Sequence, residues 1–140
     1  LLLINLSRTD IVNNSLILKP LSNNLYIPSC FINLKELYCY NTKVTEIPLL
    51  PKLTHLECYH TKITEIPLLP KLTHLDCSYT KVTEIPLLPN LTVLNCRNTK
   101  VTEIPLLPNL RSLDCDNTEV TEIPVSLVKL RNHKLYIQKY

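Results

Sequence analysis

Through the middle of the chain, apolar and polar positions alternate in a short burst and then give way to a proline-punctuated run, and the whole pattern returns every nineteen residues. The units read LKELYCYNTKVTEIPLLPK from Leu34, LTHLECYHTKITEIPLLPK from Leu53, LTHLDCSYTKVTEIPLLPN from Leu72, LTVLNCRNTKVTEIPLLPN from Leu91 and LRSLDCDNTEVTEIPVSLV from Leu110. Cys39, Cys58, Cys77, Cys96 and Cys115 keep that spacing, and so do Pro48, Pro67, Pro86, Pro105 and Pro124. Self-similarity at such a period signals stacked repeats: one unit cannot bury its own apolar face, so its neighbours must cover it.

Within each unit the segment x-L-x-C-x has the period of two that marks a half-buried strand. Because every unit runs the same way, the strands are expected to be parallel, with neighbours ~4.8 Å apart. The return path is expected to avoid α-helix. Two prolines stand three residues apart in it, such as Pro48 and Pro51, and each removes an amide donor and blocks a helix interior. An extended or 3₁₀ path fits instead. Each unit should bury about six apolar side chains: in the second these are Leu53, Leu56, Cys58, Ile63, Ile66 and one of Leu68 or Leu69.

The common frame LxxLxCxxTx(V/I)TEIPLLPx resembles the leucine-rich repeat, L-x-x-L-x-L-x-x-N-x-L, with Cys in the third Leu slot and Thr in the Asn slot. The resemblance implies a solenoid or horseshoe, α/β by convention, with a parallel sheet on its concave side and little or no α-helix on its convex side. Cys behaves as a small hydrophobe in a core. Thr42, Thr61, Thr80, Thr99 and Thr118 can offer a hydroxyl to the turn backbone, though fewer bonds than an Asn ladder would. Three stretches follow: irregular N-terminal repeats over 1–33, five regular repeats over 34–128, and an irregular C-terminal strand or cap over 129–140. Leu1, Ile4, Leu6, Thr9 and Ile11 fit the frame, whereas Leu16, Leu18, Leu25, Ile27 and Pro28 resemble a degenerate unit. The Cys, Thr and Glu-Ile-Pro details look most like the repeat proteins of amoeba-infecting giant viruses. More distantly, the Leu-Pro punctuation is similar to bacterial effectors of the YopM and IpaH kind.

Composition changes this picture little. The 140 residues include no Gly and no Met, so Leu1 is expected to be a cut or processed end with further repeats or a cap upstream. Without Gly no phosphate-cradling Gly loop is possible. The net charge of +3 is too small to point to nucleic acid or a lipid surface. Lys43, Lys62, Lys81 and Lys100 are matched by Glu46, Glu65, Glu84, Glu103 and Glu122, so no unopposed basic groove is expected. No apolar run approaches the ~18 residues of a membrane span.

Two groups of residues draw attention. The cysteine ladder Cys39, Cys58, Cys77, Cys96 and Cys115 should point into the core as inert, reduced thiols, which suits an intracellular, reducing compartment (host cytoplasm, if the chain is viral). Cys30 lies outside it. The variable strand positions form the concave face, and Tyr38, Tyr40, His55, Glu57, Tyr59, His74, Asp76, Arg97, Asp114 and Asp116 are its expected partner-binding residues. Exposed tyrosines among charges have the composition of binding hot spots. His55, His74, Glu57 and Asp76 also have ligand types a metal accepts, but a flat sheet encloses nothing, so neither metal nor cofactor is expected. Inward cysteines and outward histidines leave no catalytic pair.

The expectation is therefore a non-enzymatic module that binds another protein through its concave face, as a monomer or with weak self-association through uncapped solenoid ends. The alternatives are the substrate-recognition region of a larger enzyme, such as a ubiquitin ligase, and a structural spacer.

Overall fold

A computed structural model describes residues 4–5, 11–18 and 25–128. The expectations for 129–140, and for most of the first ten residues, lie outside this set. Five three-residue strands recur at the repeat period: β5 (Glu36–Tyr38), β6 (His55–Glu57), β7 (His74–Asp76), β8 (Val93–Asn95) and β9 (Ser112–Asp114). They pair parallel and in strict register, with Leu37, Leu56, Leu75, Leu94 and Leu113 aligned across the sheet. The central Leu of each strand is buried and its two neighbours face outward, as the alternation of Cβ directions in a strand requires.

At its N-terminal edge the sheet continues into the degenerate unit. Strand β3 (Ser15–Ile17) pairs parallel with β5, Leu16 opposite Leu37. Its neighbour β2 (Ile11–Val12) runs antiparallel to it, contrary to the all-parallel expectation. The connection explains the reversal. Asn13 and Asn14 have φ of 52° and 62°, the left-handed pair of a type I′ hairpin, whose twist matches the flanking strands. Strands β1 (Ile4–Asn5) and β4 (Leu25–Tyr26) form a separate parallel pair.

The return path is extended, broken by one β-turn per unit. The amide of Leu53 donates to the carbonyl of Leu50 at 3.0 Å, and Leu72, Leu91 and Leu110 repeat the bond. Pro51 and its equivalents take the second turn position, for which their fixed φ is pre-set. Among the described residues α-helix is confined to α1 (Val125–Val128).

The core is one continuous spine. Each of the regular turns up to Leu107 contributes six buried apolar side chains, in the second Leu53, Leu56, Cys58, Ile63, Ile66 and Leu69. Of the paired leucines, Leu69 is fully buried and Leu68 is 62% exposed, because consecutive residues of an extended segment point to opposite sides. Leu49, Leu87 and Leu106 share the outward position. At the C-terminal end Leu127 of α1 is buried, and Val120 and Ile123 pack against the spine.

Candidate functional site

The strands deliver their variable residues to the open face of the sheet in columns. The first runs Glu36, His55, His74, Val93, Ser112, and the second Tyr38, Glu57, Asp76, Asn95, Asp114. A third follows two residues on: Tyr40, Tyr59, Ser78, Arg97, Asp116. Most of these side chains are half-buried; His74 is exposed.

Beyond the third column the chain must turn from the sheet into the return path. It does so through one left-handed residue per unit: Asn41, His60, Tyr79, Asn98 and Asn117, with φ of 51–55°. Asn and His are enriched in that region, whereas a bulkier residue such as Tyr79 is a genuine outlier there. The threonine ladder holds the bend. Thr61, Thr80, Thr99 and Thr118 donate to the carbonyls of Cys58, Cys77, Cys96 and Cys115 at 2.6–2.7 Å, and Thr42 donates likewise to Cys39. The hydroxyls of Thr42, Thr80, Thr99 and Thr118 also accept the amides of Val44, Val82, Val101 and Val120 at 3.4–3.5 Å. One hydroxyl thus serves both a carbonyl and an amide left over by the bend.

Register converts residues nineteen apart into ring stacks. Tyr40 and Tyr59 lie with centroids 4.8 Å apart and planes within 1°. His55 and His74 stack at 4.3 Å, and so do the left-handed His60 and Tyr79. Tyr59 meets His60 edge-on at 6.0 Å, and the Arg97 guanidinium lies 5.7 Å from the centre of the Tyr79 ring. A continuous strip therefore runs Tyr40–Tyr59–His60–Tyr79–Arg97. The sequence places His60 and Tyr79 only beside the third column, as residues flanking it, and not among the expected partner-binding residues. The signal for them was in the sequence: both fill a slot that Asn holds in the other three units.

Ser78 interrupts the third column. It is buried, and both its amide and its hydroxyl donate to Asp76 Oδ1, at 3.0 and 2.6 Å. Asp76 Oδ2 accepts from Asn95 at 2.9 Å. Asp114 accepts the Asp116 amide at 3.2 Å and stands 3.9 Å from Arg97, while Tyr38 donates to Glu36 at 3.3 Å. Glu57 accepts no hydrogen bond among the described residues, and burial, then the nearby Asp76, pushes its carboxyl above the ordinary range. Burial also raises the phenol of Tyr59, with Tyr40, Glu57 and Asp76 adding to the shift.

The two imidazoles are fixed by threonines. Thr54 and Thr73 give their hydroxyl hydrogens to the carbonyls of Lys35 and Thr54, at 3.0 and 2.9 Å. The same hydroxyl oxygens lie 3.1 and 2.9 Å from Nδ1 of His55 and His74. Burial, then the stacked His55, lowers the pKa of His74. Among the described residues no group of three or more His, Cys, Asp or Glu is arranged to hold a metal ion.

The ladder cysteines lie on the other side of the sheet as buried thiols. Burial pushes the Cys39 thiol up to about 12 and raises those of Cys58, Cys77 and Cys96 as well. Such thiols form no thiolate at neutral pH and so do not act as nucleophiles. Cys30 is exposed. The lysine and glutamate columns are exposed too, and Lys100 pairs at 3.3 Å with Glu119, the residue in the lysine slot one turn on.

Comparison with known proteins places this architecture. The family model for leucine-rich repeats in two copies matches residues 32–71, 51–90, 70–109 and 89–132. A leucine-rich-repeat protein of Leptospira interrogans superposes with a TM-score of 0.69 at 25% identity, covering 86% of this chain and 35% of that one. An internalin of Listeria monocytogenes gives 0.65 at 23% identity, covering 83% and 41%. YopM from Yersinia enterocolitica gives 0.50 at 23%, covering 72% and 28%. The chain thus spans well under half the length of these structural neighbours. No curated protein matches it. Among the described residues no helix is long and apolar enough to cross a membrane.

Proposed function

Because the chain belongs to the leucine-rich-repeat family, whose turns build one rigid continuous surface, we propose that it is a protein-interaction module whose concave sheet face receives another protein. One observation carries the reading. The spine is nearly identical from turn to turn, while the open face gathers unlike side chains into the strip Tyr40–Tyr59–His60–Tyr79–Arg97 beside the His55–His74 stack. Rigid aromatic rings cost little entropy to immobilise, and with arginine they dominate interface energetics. The left-handed slot of each bend, filled by Asn in three turns, carries rings in the other two, His60 and Tyr79.

The likeness to giant-virus repeat arrays rests on the Cys, Thr and Glu-Ile-Pro details, and it motivates an intracellular target, in the host cytoplasm if the chain is viral. Neither catalysis nor a cofactor enters this reading. A free-standing adaptor and the recognition segment of a larger enzyme use the same face. Affinity capture with the native chain, the variant Tyr40→Ala/Tyr59→Ala and the convex-side variant Leu68→Ser/Leu87→Ser tests it. Partners should be lost only with the tyrosines; identical partner sets for all three proteins would leave a spacer.

A further inference from the structure

The chain as a whole carries a net charge of +3, yet its open sheet face is acidic. Glu36, Glu57, Asp76, Asp114 and Asp116 stand there against the single guanidinium of Arg97, with Lys35 and Arg111 only at the outer turns. The two central turns are the extreme case. Glu57 and Asp76 are register partners on adjacent parallel strands, and like charges directly opposite each other destabilise a sheet. On one side of them stand the stacked imidazoles of His55 and His74, each with Nδ1 against a threonine hydroxyl; on the other stand the stacked rings of Tyr40 and Tyr59.

The charge these two turns present is negative: Glu57 accepts no hydrogen bond among the described residues and faces Asp76 across the register, while the neighbouring imidazoles and phenols can either donate or accept. From this, and resting on the interaction reading above, we infer that the partner presents an extended, cationic protein segment, with a lysine or arginine set against Glu57 between the His55–His74 and Tyr40–Tyr59 stacks. A cation there offsets the repulsion between Glu57 and Asp76 and gives the Glu57 carboxylate the hydrogen-bond donor it lacks among the described residues. The trough is an open sheet surface, so a small free cation would stay largely solvated. A polypeptide laid along the sheet brings the cover that desolvates the contact.

The test is selection of a random linear peptide library on the full 140-residue chain. Enrichment of Lys- and Arg-bearing peptides is expected. Binding of a selected peptide should weaken about tenfold in Glu57→Gln, as loss of one partly desolvated cation site implies, and should fall with added salt. Glu84→Gln, in the exposed acidic column of the return path, should leave it unchanged. Selection of acidic or uncharged peptides, no enrichment, or equal binding by Glu57→Gln overturns the inference. Uncharged peptides that nonetheless lose binding in Tyr40→Ala/Tyr59→Ala would overturn the cationic partner and leave the interaction face standing. If nothing selected responds to either variant, both fall.

Discussion

The hydroxyl of Thr80 donates to the carbonyl of Cys77 at 2.6 Å across a left-handed residue, Tyr79, whose φ is 55°. The same oxygen accepts the amide of Val82 at 3.5 Å. Removing it leaves a buried carbonyl without its partner, which costs about 1–3 kcal/mol. The near-isosteric Thr80→Val should therefore lower the unfolding free energy by about 1–3 kcal/mol, read as a lower denaturant midpoint at unchanged slope. Thr45→Val, at an exposed position, should leave the midpoint unchanged.

His60 and Tyr79 pull stability the other way. Tyr79 holds a left-handed backbone at a cost of ~1–2 kcal/mol, which Asn largely avoids and His60 avoids in part. The stack of His60 on Tyr79 at 4.3 Å returns only about 0.5–1.5 kcal/mol. The double variant His60→Asn/Tyr79→Asn is expected to unfold at a higher denaturant concentration than the native chain and to bind its partner more weakly. A destabilised double variant would show that the stack outweighs the strain.

Adjacent leucines should behave oppositely. Leu69→Ala opens the spine where the side chain is fully buried, at a cost of about 2–5 kcal/mol. Leu68→Ser, at a residue 62% exposed, should shift stability by less than about 0.5 kcal/mol. Parallel urea titrations of the two variants check both.

Thiol accessibility follows the same division. In the folded chain a neutral-pH thiol reagent should modify Cys30, while Cys39, Cys58, Cys77, Cys96 and Cys115 react only after denaturation. Counting modified thiols by mass before and after adding denaturant is sufficient. Rapid modification of Cys77 in the folded state would contradict its burial.

Two ionisable groups of the open face give opposite pH signatures. Burial and His55 hold His74 below its ordinary pKa of 6.5, so the unfolded chain binds the proton more readily. Its contribution to stability is complete above that value and is lost as pH falls through the lowered one. For Glu57, raised above its ordinary 4.5 by burial and Asp76, the contribution is present at low pH and lost as pH rises through the raised value. Glu57→Gln should thus stabilise the chain at neutral pH, with the gain fading below the carboxylate range. His74→Gln should flatten the loss of stability on acidification below about pH 6.5. Both effects are small, because solvent screens these partly exposed sites. Chemical denaturation across the pH range reads both.

The repeat period by itself determined the spine. A nineteen-residue unit with one apolar burst must stack parallel and in register, because any slip would bring polar positions into the core. Its paired prolines exclude helix from the return path. The cysteine and threonine ladders follow from the same register, as do the columns of the open face. Tertiary structure alone decided what single-position identity leaves open. It chose Leu69 over Leu68, since only the local path of the extended segment says which of two leucines turns inward. It reversed β2 through the left-handed Asn13–Asn14 pair, and it put Tyr79 in backbone that its side chain resists. It also turned separate columns into stacks, in which Tyr40 meets Tyr59 and His55 meets His74. Ring orientation depends on the neighbours that surround each side chain across the sheet, and those neighbours become adjacent only when the coil closes on itself.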